Sequence, residues 1–64
     1  MEFKDILREL RLEKGLTQEQ LAKELHFSLS IINKWENGKK KPGYDNLKII
    51  MQYFGVSAND LFDL

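Results

Sequence analysis

The chain has 64 residues, with ten basic and ten acidic side chains, no cysteine and a single histidine. A chain of that length is expected to form one domain, 1–64, burying only about 60% of the surface its unfolded form exposes. The lack of cysteine excludes a disulfide framework and thiolate metal sites, and His26 alone supplies no metal-ligand set, so no metal and no cofactor are expected. No apolar run approaches the ~18 residues of a membrane span, and the charged, periodic start "MEFKDILREL" is unlike a secretory signal. A soluble, cytoplasmic chain with no membrane partner is the expectation.

Phe3, Leu7 and Leu10 recur with a helical period that Lys14 continues, and Gly15 follows as a left-handed stop, which predicts a first helix over roughly 2–14. "LTQEQL" then carries a full start signal: Thr17 as N-cap, Gln20 as its capping-box partner, and Leu16 stapled to Leu21. A second helix runs from there to about Leu25. After a short connector of His26 and Phe27, Ser28 caps a third helix over about 28–37 while Phe27 packs on Ile32, and Gly38 lies beyond its end. A segment this short is below the ~12–15 residues needed for marginal helicity in water, so the rest of the fold must hold it.

Pro42 blocks continuation, and Leu47, Ile50, Met51 and Phe54 give a fourth amphipathic stripe over 44–54 that closes at Gly55. Val56, Ser57, Asp60 and Leu61 repeat the staple and cap, opening a short fifth helix. No strand pattern, internal repeat or linker interrupts the series. Five short helices have only each other to cover their apolar faces, so the expected fold is a compact all-α five-helix bundle.

Zero net charge argues against a simple inference from basicity to nucleic acid, but the distribution is uneven. Residues 23–48 carry six basic and three acidic groups, whereas residues 49–64 carry none and two. Three consecutive lysines, Lys39, Lys40 and Lys41, directly follow the third helix, whose Ser30, Asn33 and Lys34 stand in helical register.

Helices two and three are joined by about three residues, the spacing of a helix-turn-helix, although an ordinary αα-hairpin has the same spacing. The segments "RELRLEKGLTQEQLAKEL", "S...I.KWENGKKKP" and "NLKII...FGVSANDL" together resemble the phage-repressor and Cro type of helix-turn-helix family, the xenobiotic-response-element type, over nearly the whole chain. That resemblance implies a lambda-repressor-like DNA-binding fold whose third helix enters the major groove of double-stranded DNA. It implies that Gln18, in the first turn of the second helix, clamps a phosphate, where a helix N-terminus independently favours an anion. It places Ser28, Leu29, Ser30, Asn33 and Lys34 towards the groove, and Ile32 and Trp35 inward. Leu29, Ser30, Asn33 and Lys34 are the candidates for base contact. Asn33 is the foremost, since an amide binds adenine through two hydrogen bonds. Gln18, Ser28, Asn37, Lys39, Lys40 and Lys41 are the phosphate candidates. Arg11 and Glu36 match positions that pair across helices in the family, and such a pair would orient the third helix.

Several residues admit a plainer role beside the functional one. Leu29 either meets a thymine methyl or is simply exposed, and Ile31 either does the same or packs against the second helix. The lysine run is either a phosphate contact or a solvated loop, and Trp35 at helical spacing from Ile32 reads as core. The family usually has glycine where His26 stands, so the turn is expected to be strained or reshaped. Ile49 and Tyr53, four apart and off the fourth stripe, are expected to be exposed. With Phe62 or Leu64 they would form a homodimer patch. No nucleophile with a base, phosphate-cradling loop or paired carboxylate is evident, which argues against an enzyme, and no small-molecule site is evident either. The expected function is a sequence-specific transcriptional regulator, in the first instance a repressor. The alternative is a protein-interaction module that keeps the fold without reading bases.

Overall fold

A computed structural model describes residues 1–62 and contains α1 (Phe3–Glu13), α2 (Gln18–Leu25), α3 (Leu29–Glu36), α4 (Tyr44–Phe54) and α5 (Ala58–Phe62). Among the described residues there is no strand. α2, α3 and α5 each start where a side chain satisfies a first-turn donor. Thr17 Oγ1 accepts from Gln20 N at 3.1 Å while Gln20 Oε1 accepts from Thr17 N at 2.9 Å, a complete capping box. Ser28 Oγ accepts from Ile31 N at 3.1 Å at the head of α3. Ser57 and Asp60 cap α5 reciprocally, with Ser57 N and its hydroxyl both donating to the Asp60 carboxylate, which holds that group below its ordinary pKa.

The helices are shorter than expected at both ends of α1 and α3, and the reason is the same. Glu2 and Lys14 flank α1 as its cap residues, and Ser28 and Asn37 flank α3, each belonging half to the helix and half to the connection. Lys14 accordingly leaves the apolar stripe and lies exposed, its ammonium 4.9 Å from the centre of the Tyr53 ring.

The connection from α2 to α3 holds its shape with histidine. His26 adopts φ 60° and ψ 37°, the left-handed conformation, and is the only non-glycine with positive φ among the described residues. Phe27 N then donates to Ala22 O at 2.9 Å, closing the helix end as a glycine would. The turn is therefore not reshaped; any cost falls on His26 alone.

The core consists of Phe3, Leu7, Leu21, Ala22, Leu25, Ile32, Trp35, Ile50 and Leu61. α3 packs against both α1 and α2, α4 covers α2, and α5 returns to α1. Aromatic rings stitch the elements: Phe27 meets Trp35 edge-on at 5.2 Å, and Phe3 stacks on Phe62 at 5.5 Å. Burying α3 between two helices supplies the stability that its eight residues lack alone.

Candidate nucleic-acid interface

α3 divides cleanly into two faces. Ile32, Trp35 and Glu36 are at most 1% exposed, whereas Leu29 is 45% exposed and Ser30 and Asn33 also face solvent. Ile31 lies between, half-buried against the core, which settles its packing role. Lys34 is half-buried as well, its charge at the C-terminal end of the helix where the dipole favours a cation.

The buried face holds one charge. Glu36 meets Arg11 through two bonds, Nε to Oε2 at 2.7 Å and Nη2 to Oε1 at 3.0 Å, while Arg11 Nη1 donates to Leu16 O at 2.8 Å. Such a pair adds little net stability over an apolar substitute, because desolvating both ions opposes their attraction. Its geometry fixes the rotation of α3 against α1. Arg8 joins from α1, with Nη2 donating to Glu36 O at 3.4 Å and Nε 3.6 Å from Oε1. Sequence reasoning passed over Arg8, although Lys4, Arg8 and Arg11 stand four and three apart, the spacing of one helix face.

Gln18, at the first position of α2, reaches the same carboxylate: its Nε2 donates to Glu36 Oε1 at 3.2 Å. Its Oε1 accepts from Asn33 Nδ2 at 3.2 Å, and Asn33 Oδ1 accepts from Asn37 Nδ2 at 2.9 Å. The start of α2, the outer face of α3 and the end of α3 are thus one connected polar surface. At this end of α2 the Gln20 N–H is taken by Thr17, the Gln18 and Glu19 N–H groups have no intrahelical acceptor, and Glu19 places an opposing negative charge in the same turn.

Beyond Asn37 the chain turns back at Gly38, φ 75°, where a side chain would meet the Lys4 stem at 3.1 Å. Lys39 N and Lys40 N both donate to Lys34 O, at 3.0 and 3.4 Å, so the exit loop folds against the end of α3. The three loop lysines are exposed. Lys41 and Lys4 line a cavity of about 120 Å³ between this loop and the start of α1, which brings a further cation alongside the run.

The expected homodimer patch is not a continuous exposed surface. Ile49 is 40% exposed, but Tyr53 is half-buried, held by Lys14 above its ring and by the edge of Phe54 at 5.0 Å. Phe62 is also half-buried, on Phe3. Leu64 lies outside the described residues. The position of Tyr53 off the α4 stripe predicts exposure; Lys14, at the end of α1, covers its ring instead.

A sequence profile of the helix-turn-helix family matches residues 7–61, which include the whole of α2, its turn and α3. The chain belongs to the helix-turn-helix family. It is similar to the HTH-type transcriptional activator BcrR of Enterococcus faecalis, with 48% identity over 61 residues, covering 95% of this chain and 30% of that protein. It is also similar to the HTH-type transcriptional regulator DdrOP3 of Deinococcus deserti, 29% identical over 63 residues, covering 98% of this chain and 49% of that protein. The chain therefore spans less than half the length of these curated relatives. Among solved structures, the restriction-modification controller protein C.AhdI of Aeromonas hydrophila superposes with a TM-score of 0.81 at 32% identity, covering 94% of this chain and 91% of that one. The wild-type controller protein C.Esp1396I gives a TM-score of 0.76 at 30% identity, covering 95% and 78%. Among the described residues no helix is long and apolar enough to cross a membrane.

Proposed function

We propose that the chain acts as one DNA-binding domain of a cytoplasmic transcriptional regulator, laying the outer face of α3 in the major groove of duplex DNA. The observation that carries this reading is the connected surface of Gln18, Asn33 and Asn37, with the loop lysines folded against its end. Asn33 reads adenine, Lys34 reaches guanine or a phosphate, Leu29 meets a thymine methyl, and Ser30 contacts a base edge beside them. Gln18 and Ser28, each at the head of a helix, hold phosphates on one side. Asn37, Lys39, Lys40 and Lys41 hold them on the other. The Arg11–Glu36 pair fixes the angle at which α3 is presented.

The domain extends 28 Å along its longest axis and contains one such helix. Two recognition helices reading an inverted repeat stand about 34 Å apart, so that mode of reading requires a second copy of the chain. Of the expected patch, Ile49 is the exposed apolar side chain. Occupying DNA represses where the site overlaps a promoter, and the name of one relative is that of an activator. The direction of regulation follows from the position of the site.

Selection of bound duplexes from a random pool, with a salt titration of the winner, tests this reading. An inverted repeat with half-sites one helical turn apart is expected. Binding that is blind to sequence and vanishes in modest salt would reduce the interface to its phosphate contacts. The exposed Leu29 would then favour a protein-interaction module instead.

A further inference from the structure

The polar line from Arg11 to Asn37 has a direction. Glu36, 1% exposed, is held by Arg11 on both carboxylate oxygens and offers its neighbours only acceptors. Gln18 must therefore turn Nε2 towards it, at 3.2 Å, and this leaves Gln18 Oε1 facing Asn33. An amide oxygen also only accepts, so Asn33 turns Nδ2 inward at 3.2 Å and Oδ1 away, where Asn37 Nδ2 meets it at 2.9 Å. Each amide takes the orientation that the preceding group allows, and the first group is a buried carboxylate that cannot reverse its role.

This has a consequence for reading bases, and it rests on the DNA-binding reading above. Asn33 has two N–H donors and two acceptor lone pairs, of which Gln18 takes one donor and Asn37 one lone pair. One donor and one acceptor remain. Adenine offers the complementary pair in the major groove, an acceptor at N7 and a donor at N6, whereas guanine offers two acceptors, N7 and O6. We propose that Glu36, acting through Gln18, locks the Asn33 amide in one orientation and so selects adenine over guanine; Gln18 and Glu36 are positioning residues for a base that neither touches.

The test compares Gln18→Met, which removes the amide at similar length, with Gln18→Glu, which keeps an acceptor facing Asn33 although it crowds Glu36. The readout is the ratio of affinities for adenine and guanine at the base pair whose preference Asn33→Ala abolishes. A ratio taken within one variant cancels any uniform loss from a weakened phosphate contact or a less stable fold. The full chain is expected to favour adenine by about tenfold or more, and Gln18→Met to lose most of that. Gln18→Glu is expected to keep it even where absolute affinity falls. A Gln18→Met variant with the original ratio, or a Gln18→Glu variant that loses it as fully, overturns the proposal.

A second measurement needs no DNA. In the free protein, one Asn33 side-chain amide proton is expected to exchange slowly by NMR, and both to exchange rapidly in Gln18→Met; identical behaviour in the two chains overturns the lock. If that lock is present and the original chain prefers no base anywhere, the DNA reading has failed, and adenine selection fails with it.

Discussion

The two faces of α3 are built from the same eight residues and are held by opposite means. On the inner face, Ile32, Trp35 and Glu36 are sealed against α1 and α2, and no fully buried side-chain nitrogen or oxygen among the described residues lacks a partner. On the outer face, Leu29, Ser30 and Asn33 meet solvent, with only the thin line of amides between Gln18 and Asn37 to order them. The contrast separates how the helix is aimed from what it reads: positions 32, 35 and 36 answer to the fold, while 29, 30 and 33 answer to whatever lies outside.

Trp35→Ala is the most direct way to break that contrast. Truncating a buried aromatic costs about 3–5 kcal/mol, a large share of the ~5–15 kcal/mol that holds a domain together. Urea unfolding followed by circular dichroism should show a domain that is largely unfolded. Leu29→Ala on the opposite face should move stability by less than ~0.5 kcal/mol. Equal losses would mean that α3 has no free face.

Glu36→Ala comes next. It leaves the Arg11 guanidinium, 9% exposed, without its counter-charge, and losing one partner of a buried pair costs about 3 kcal/mol or more. Replacing both, as Arg11→Met with Glu36→Leu, should recover much of the stability measured in the same unfolding experiment, because no charge is then stranded. Affinity for DNA should not recover with it, since the pair aims α3 and orients Gln18. A double variant that regains both would assign the pair to stability alone.

On the outer face the expected effects are smaller and concern binding. Lys40→Ala should weaken binding to all sequences alike and lower the slope of log K against log salt by about one unit. Asn33→Ala should leave that slope in place and relax the preference at one base pair by about 1–3 kcal/mol. Salt titrations on the selected duplex and on a scrambled one separate the two.

What could be read from the sequence follows the range of the interaction. Caps and stops are local, so Thr17 with Gln20, Ser57 with Asp60, and the glycines at 15 and 55 marked the helix ends to within a residue. Contacts between helices depend on their crossing geometry, which no local pattern encodes. The Arg11–Glu36 pairing came from family resemblance, not from spacing. Arg8 at the same carboxylate and the link from Gln18 to Asn33 could not be seen, since 15 residues and a turn separate those two amides. The burial of Tyr53 is hidden for the same reason: Lys14, which covers its ring, caps the end of a different helix.

The turn between α2 and α3 belongs with the inner face, because it sets the angle of the helix that the ion pair then holds. His26 gives the smallest and most exacting prediction about it. A non-glycine side chain in the left-handed region carries a steric cost of about 1–2 kcal/mol, and His26→Gly removes it. Glycine also has more conformations to lose on folding, which returns about 0.5–1 kcal/mol of the gain. The imidazole is exposed and makes no hydrogen bond among the described residues, so its removal forfeits none there. The net effect should be stabilisation of up to about 1.5 kcal/mol, seen as a higher urea midpoint at unchanged slope. DNA affinity should stay as it was, because φ 60° and ψ 37° are as natural to glycine and α3 keeps its angle. His26→Val should move stability the other way, since a β-branched side chain fits that region worst. Were the glycine variant less stable, the histidine would be contributing something beyond its backbone, and the turn would have to be counted among the contacts that hold α3 in place.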